Sequence, residues 1–155
     1  MRTRFTAVIA AAALTLSVTA AMSAEPSPLT EGRALYENTC ATCHTLERSL
    51  AKQADRAGWE STVKKMIANG AKLDESQSGL ILGYLAAKSA FETKCNTCHD
   101  LQRPLLAIKN PEQWKATVAR MAALKTGHLT DADTGAITLY LSLVTPVAPA
   151  APGYK

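Results

Sequence analysis

Cys40-Ala41-Thr42-Cys43-His44 and Cys95-Asn96-Thr97-Cys98-His99 repeat one arrangement of chemistry-bearing side chains within a chain of 155 residues. Two thiols three positions apart can form thioethers to the vinyl groups of a porphyrin, and a histidine directly after them can turn its imidazole onto the iron. The pentapeptide is the attachment pattern of covalent haem c, so two copies predict two haems. All 4 cysteines lie inside the motifs, which leaves no thiol for a structural disulfide or a separate reactive site. One zinc ion held by four thiolates is the main rival, and it leaves both histidines without a role. A thioredoxin-like pair would need a βαβ setting, and no β-branched strand runs flank either motif.

His44 and His99 are expected on the proximal side of each iron. For the opposite side the natural pair is Met66 and Met121, each 26 residues after the first cysteine of its motif. Thioether ligation is common in electron-carrying haems. The competing reading for both methionines is core packing, since Trp59, Val63 and Met66, like Trp114, Val118 and Met121, fall at helical i, i+4, i+7 spacing. His128 has a smaller claim on the second iron, against a reading as a solvent-facing residue in a mobile loop after the helix-stopping Gly127. Trp59 and Trp114 are expected to contact the cofactor through indole N–H groups aimed at propionates, or else to pack. Arg48 and Arg103 are candidate propionate partners on grounds of repetition alone.

The elements that carry these residues form a tandem repeat. A shift of 55 places Tyr36-Glu37 on Phe91-Glu92 and Trp59 on Trp114; beyond an inserted residue near His128 a shift of 56 aligns Tyr84-Leu85 with Tyr140-Leu141. Three-and-four periodicity predicts an all-α chain. Helices are expected over about Leu29 to Asn38, from near Asp55, and from Asn110, where Asn, Pro111 and Gln113 make an N-terminal capping pattern. Further helices start at Asp74-Glu75 and at Asp131, with Gly70 and Gly127 as stops for the preceding ones. Nothing between Gly79 and Lys94 breaks a helix, so the repeats are expected to join stiffly. Each repeat is too short for a self-sufficient apolar core, and haem is expected to supply what is missing.

Residues 1–24 read as a cleavable secretory signal: Arg2 and Arg4, an apolar run from Ala7 to Leu14, then small residues from Ala20 to Ala24. The run is too short and too interrupted by Thr15, Ser17 and Thr19 for a membrane anchor. Lobe one is expected over 25–88, lobe two over 89–144, and a Pro/Ala-rich mobile tail over 145–155. Arg2 and Arg4, which the signal removes, contribute to the formal charge of +4, and the remaining basic residues are interspersed with Glu and Asp. That distribution excludes a nucleic-acid groove.

With its paired Cys-x-x-Cys-His motifs, Trp-x-x-Thr-Val-x-x-Met segments and closing Tyr-Leu helices, the stretch from about residue 30 to 143 resembles class I c-type cytochromes in tandem diheme form. The Trp-to-Met segment is similar to that in haem domains of quinohaemoprotein amine dehydrogenase, of sulfite dehydrogenase cytochrome subunits and of the green sulfur bacterial reaction-centre cytochrome. Many class I cytochromes instead carry the ligating Met in a loop before the last helix. The resemblance implies two cytochrome c-like lobes with two covalently bound haem c groups. It also implies a periplasmic electron carrier, taking electrons from a dehydrogenase and passing them to a carrier or oxidase. A small diheme peroxidase or thiosulfate-type oxidoreductase with one open iron is the enzymatic alternative.

Overall fold

A computed structural model describes residues 26–147, and these are helical throughout, with no strand among them. The expected signal at 1–24 and tail residues 148–155 lie outside the described residues. Helix α1 spans Pro28–Cys40, two residues beyond its expected end, so it delivers the first motif cysteine directly. A short helix α2 (Glu47–Leu50) and α3 (Arg56–Ala68) follow, then the long α4 (Glu75–Lys94). A 3-10 turn at Cys95–Thr97 holds the second motif. The pattern then recurs as α5 (Gln102–Leu105), α6 (Pro111–Leu124) and α7 (Asp131–Val144).

Local chemistry sets these boundaries. Ser27 caps α1 with Pro28 in the first turn, and Asp55 caps α3 by accepting from the Gly58 N–H at 2.8 Å. Reciprocal capping boxes start α4 (Asp74 with Gln77), α6 (Asn110 with Gln113) and α7 (Thr130 with Asp133). Helix α3 closes in a Schellman turn. Gly70, at φ +104°, donates to the Ile67 carbonyl, and Ala71 donates to that of Met66. Gly127 also has positive φ, at +77°. The inserted residue of the second repeat lengthens the helix: α6 has 14 residues against 13 in α3, while the connections 69–74 and 125–130 are equally long.

The two repeats meet inside α4, which is unbroken across the expected division at 88/89. Its Ile81, Tyr84 and Leu85 are counterparts of Ile137, Tyr140 and Leu141 at the end of the second repeat. Its Ala87 and Phe91 are counterparts of Gly32 and Tyr36 at the start of the first. Helices α1 and α7 pack on α4 and touch each other, with α3 against α4 and α6 against α7. One continuous cluster results, centred on a chain of tilted rings: Tyr36–Tyr84 at 5.7 Å, Tyr84–Tyr140 at 6.2 Å and Tyr140–Phe91 at 5.4 Å between centroids. The apolar residues of the two repeats are continuous with one another among the described residues. The repeats complete one another, because the apolar stripe of each first helix lies against the partner repeat as well as its own.

The α1–α4 crossing is the tightest contact. A Cβ on Gly32 would lie 2.2 Å from the Leu80 carbonyl oxygen and 3.3 Å from Tyr84 Cβ, so only glycine fits there. The corresponding position in the second repeat accommodates Ala87, which is 1% exposed.

Candidate functional site

Two cavities, of about 860 and about 610 Å³, open beside the motifs, within the usual range for small-molecule sites. The first brings Cys40, Cys43 and His44 together with Trp59 and Met66. The second does the same for Cys95, Cys98, His99, Trp114 and Met121. The motif enters each from the C-terminal end of a helix, while the methionine enters from the later turns of α3 or α6. The carbonyl of Met66 is held by the Schellman turn, which fixes the backbone from which its thioether projects.

The motif histidines are prepared in the same way. His44 Nδ1 donates to the Thr45 carbonyl at 2.9 Å, and His99 Nδ1 donates to that of Asp100 at 2.9 Å. A proton on Nδ1 leaves the Nε2 lone pair for a metal. The threonine between the cysteines also repeats its role: Thr42 Oγ1 donates to the Thr39 carbonyl at 2.8 Å, and Thr97 Oγ1 to the Lys94 carbonyl at 3.1 Å. Burial pushes the Cys40 thiol up and the Cys95 thiol up to about 11, so the first cysteine of each motif lies in the less polar part of its site. Cys43 and Cys98 are exposed at the rim.

Among the described residues, neither cavity has an Asp or Glu in its wall. Arg48, Lys52 and Lys65 border the first, and Lys94, Arg103, Arg120 and Lys125 the second. An apolar slot with a basic rim fits a flat apolar ring bearing carboxylates, and the two thiols, imidazole and thioether fit its attachment and its iron. The zinc reading does not survive. The two cysteine pairs face separate cavities, and no cluster of three or more His, Cys, Asp or Glu among the described residues is placed to hold a metal ion.

Three expectations need correction. The indole N–H groups are not aimed at propionates: Trp59 Nε1 donates to Ser89 Oγ at 2.7 Å and Trp114 Nε1 to Thr145 Oγ1 at 2.8 Å, both buried. The rings still wall the cavities. Their acceptors, a repeat-equivalent pair at the shift of 56, went unrecognised in the sequence although the shift itself identifies them. The tail does not begin at residue 145, because Thr145 is 6% exposed and the Pro146 carbonyl accepts from the Lys109 N–H at 3.2 Å. His128 is no solvent-facing residue of a mobile loop. It is half-buried, and its Nε2 lies 2.9 Å from the Lys94 carbonyl oxygen and 3.2 Å from Thr97 Oγ1.

Two further features were not anticipated. Lys52 lies over the Trp59 ring at 5.3 Å and donates to Thr62 Oγ1, while Lys109, from a non-equivalent position, lies over Trp114 at 5.7 Å. Lys88 is 6% exposed, pairs with Glu92 at 2.6 Å and donates to the Leu50 carbonyl at 3.1 Å, tying α2 to α4. Its repeat counterpart, Arg33 with Glu37, is a more exposed pair.

Residues 27–78, which span the first motif, Trp59 and Met66, match the family model described as cytochrome C oxidase, cbb3-type, subunit III. The match supports a c-type cytochrome. Covalently bound haem c, electron transfer and redox partners follow from that assignment at this level. No curated protein and no solved structure matches the chain. No helix among the described residues is long and apolar enough to cross a membrane.

Proposed function

We propose that the chain is a periplasmic diheme electron carrier, with one haem c on Cys40 and Cys43 and another on Cys95 and Cys98. Its iron ligands are His44 with Met66 and His99 with Met121. The observation that carries this reading is the recurrence, in a second cavity, of the chemistry of the first: half-buried and exposed thiol, imidazole with Nδ1 engaged, methionine, tryptophan wall and basic rim. The export pattern of residues 1–24 supports the compartment, since haem attachment of this kind belongs with an exported chain.

Haem bound in such a site supplies an iron that takes up and returns one electron without making or breaking bonds to a substrate. The protein's part is to hold that site still. Thioethers from the motif cysteines would hold the haem, Nδ1–H donation holds each imidazole in place, and Trp59 or Trp114 with Val63 or Val118 would keep water from it. Arg48 and Lys52, or Arg103 and Lys125, would offset the propionate charge. The unbroken α4, whose Leu85 borders the first cavity and whose Lys94 borders the second, keeps the distance between the sites constant. Donor and acceptor are expected to be redox proteins, a dehydrogenase on one side and a cytochrome or oxidase on the other.

Intact mass of the exported protein tests the proposal. Two covalent haems are expected, retained through acid extraction; extractable haem or free thiols in either motif would overturn it. Carbon monoxide binding by the unmodified ferrous protein would reveal an open iron and favour the enzymatic alternative.

A further inference from the structure

His128 spans the second cavity from one wall to the other. It sits in the connection between α6 and α7, after Met121, yet its imidazole reaches the carbonyl of Lys94 at the end of α4, immediately before Cys95. It also meets Thr97 Oγ1, between the two cysteines. The backbone of the same residue receives a return contact, Lys94 Nζ to the His128 carbonyl at 3.4 Å. The Lys94 carbonyl, which also accepts from Thr97 Oγ1 at 3.1 Å, takes from the imidazole N–H its bond to the α6–α7 connection. The first cavity has no such strap. There the counterpart of His128 is Lys72, which is exposed, and among the described residues the Thr39 carbonyl, counterpart of that of Lys94, accepts only from the adjacent Ala41 and Thr42.

We propose that His128 is a positioning residue: a clasp that ties the motif wall to the methionine wall of the second cavity and holds His99 and Met121 at fixed separation across the haem. The proposal rests on the haem reading above. It assigns His128 a function incompatible with ligation through Nε2, because that nitrogen carries the proton donated to Lys94. Its effect is on opening: with the clasp released, the α6–α7 connection can swing away and expose the iron to outside ligands. Losing one hydrogen bond of ordinary net strength shifts such an opening equilibrium by about 2- to 12-fold.

The test compares wild type, His128→Ala, His128→Gln and Lys72→Ala as full-length exported proteins. Haem count by mass, the resting ferric spectrum and the rate of cyanide binding to each ferric iron are measured. Amide exchange at residues 94–98 is followed in the same samples. His128→Ala is expected to keep two haems and an unchanged resting spectrum, while cyanide binding at the second iron accelerates about 2- to 12-fold and amides 94–98 lose protection by a similar factor. Glutamine, whose amide can donate to the Lys94 carbonyl, should restore both readouts, and Lys72→Ala should change neither. If alanine and glutamine both alter the resting ferric spectrum, His128 is an iron ligand and the clasp is wrong. If neither variant changes cyanide binding or exchange, the clasp is also wrong. A wild type without a second covalent haem would overturn the haem reading instead, and the exchange of 94–98 would still decide whether the clasp exists.

Discussion

The two cavities differ in their walls and agree in their proposed ligands. Motif, imidazole hydrogen bond, threonine bridge, tryptophan and methionine recur at equivalent positions, whereas Ser49 and Lys52 of the first cavity are replaced by Pro104 and Ala107 in the second, and Asn69 borders the first where Leu124, the added residue of α6, borders the second. The second cavity is consequently smaller and less polar, and it alone carries the His128 strap. Such a division separates two jobs. Positions proposed to attach and ligate are held in common, while positions that set polarity and access diverge, which is how a duplicated scaffold would hold two haems at different potentials.

The strongest way to break this comparison is to remove the methionines one at a time. Met66→Ala and Met121→Ala should each open one iron almost completely, with the ferrous variant binding carbon monoxide at one haem of two and the potential of that haem falling. If only one variant responds, the cavities differ in ligands too, and the non-responding methionine is a packing residue.

The helix crossings offer a second contrast. Gly32→Ala forces a Cβ into the Leu80 carbonyl and should cost about 1–3 kcal/mol by denaturant unfolding, from overpacking. The mirror change Ala87→Gly should cost about 1–2 kcal/mol, the helix-propensity difference plus one lost buried methyl. Equal costs would show that the two crossings are not asymmetric.

Removing the tryptophan partners should affect both halves alike. Ser89→Ala and Thr145→Val each leave a buried indole N–H without an acceptor, at about 1–3 kcal/mol, with haem spectra unchanged. A spectral change in either would mean that the indole had turned to the cofactor.

The smallest effect comes from exchanging wall polarity. Leu124→Asn should lower the potential of the second haem, because a polar wall favours the more highly charged ferric state. Asn69→Leu should raise that of the first, each by about 20–60 mV on the one-electron scale where 59 mV is a tenfold change. Redox titration of both variants decides whether wall composition sets the order.

Much of this site was legible in the sequence because its determinants are local. Cys-x-x-Cys-His places its groups by spacing alone, the capping residues Asp55, Asn110 and Asp74 act on N–H groups three residues away, and Gly70 stops a helix by a conformation of its own backbone. The repeat extended each observation to a second copy. What the sequence left open depends on groups brought together from afar. Ser89 is 30 residues from Trp59, Lys94 is 34 from His128, and Tyr84 meets Tyr140 from the other repeat. Burial decided the tryptophan pairing: an indole N–H removed from water must find a partner where the packing places one. Only the tertiary structure could show that the repeats share α4 and a single core, since apolar periodicity marks which face of a helix is buried but not which repeat buries it.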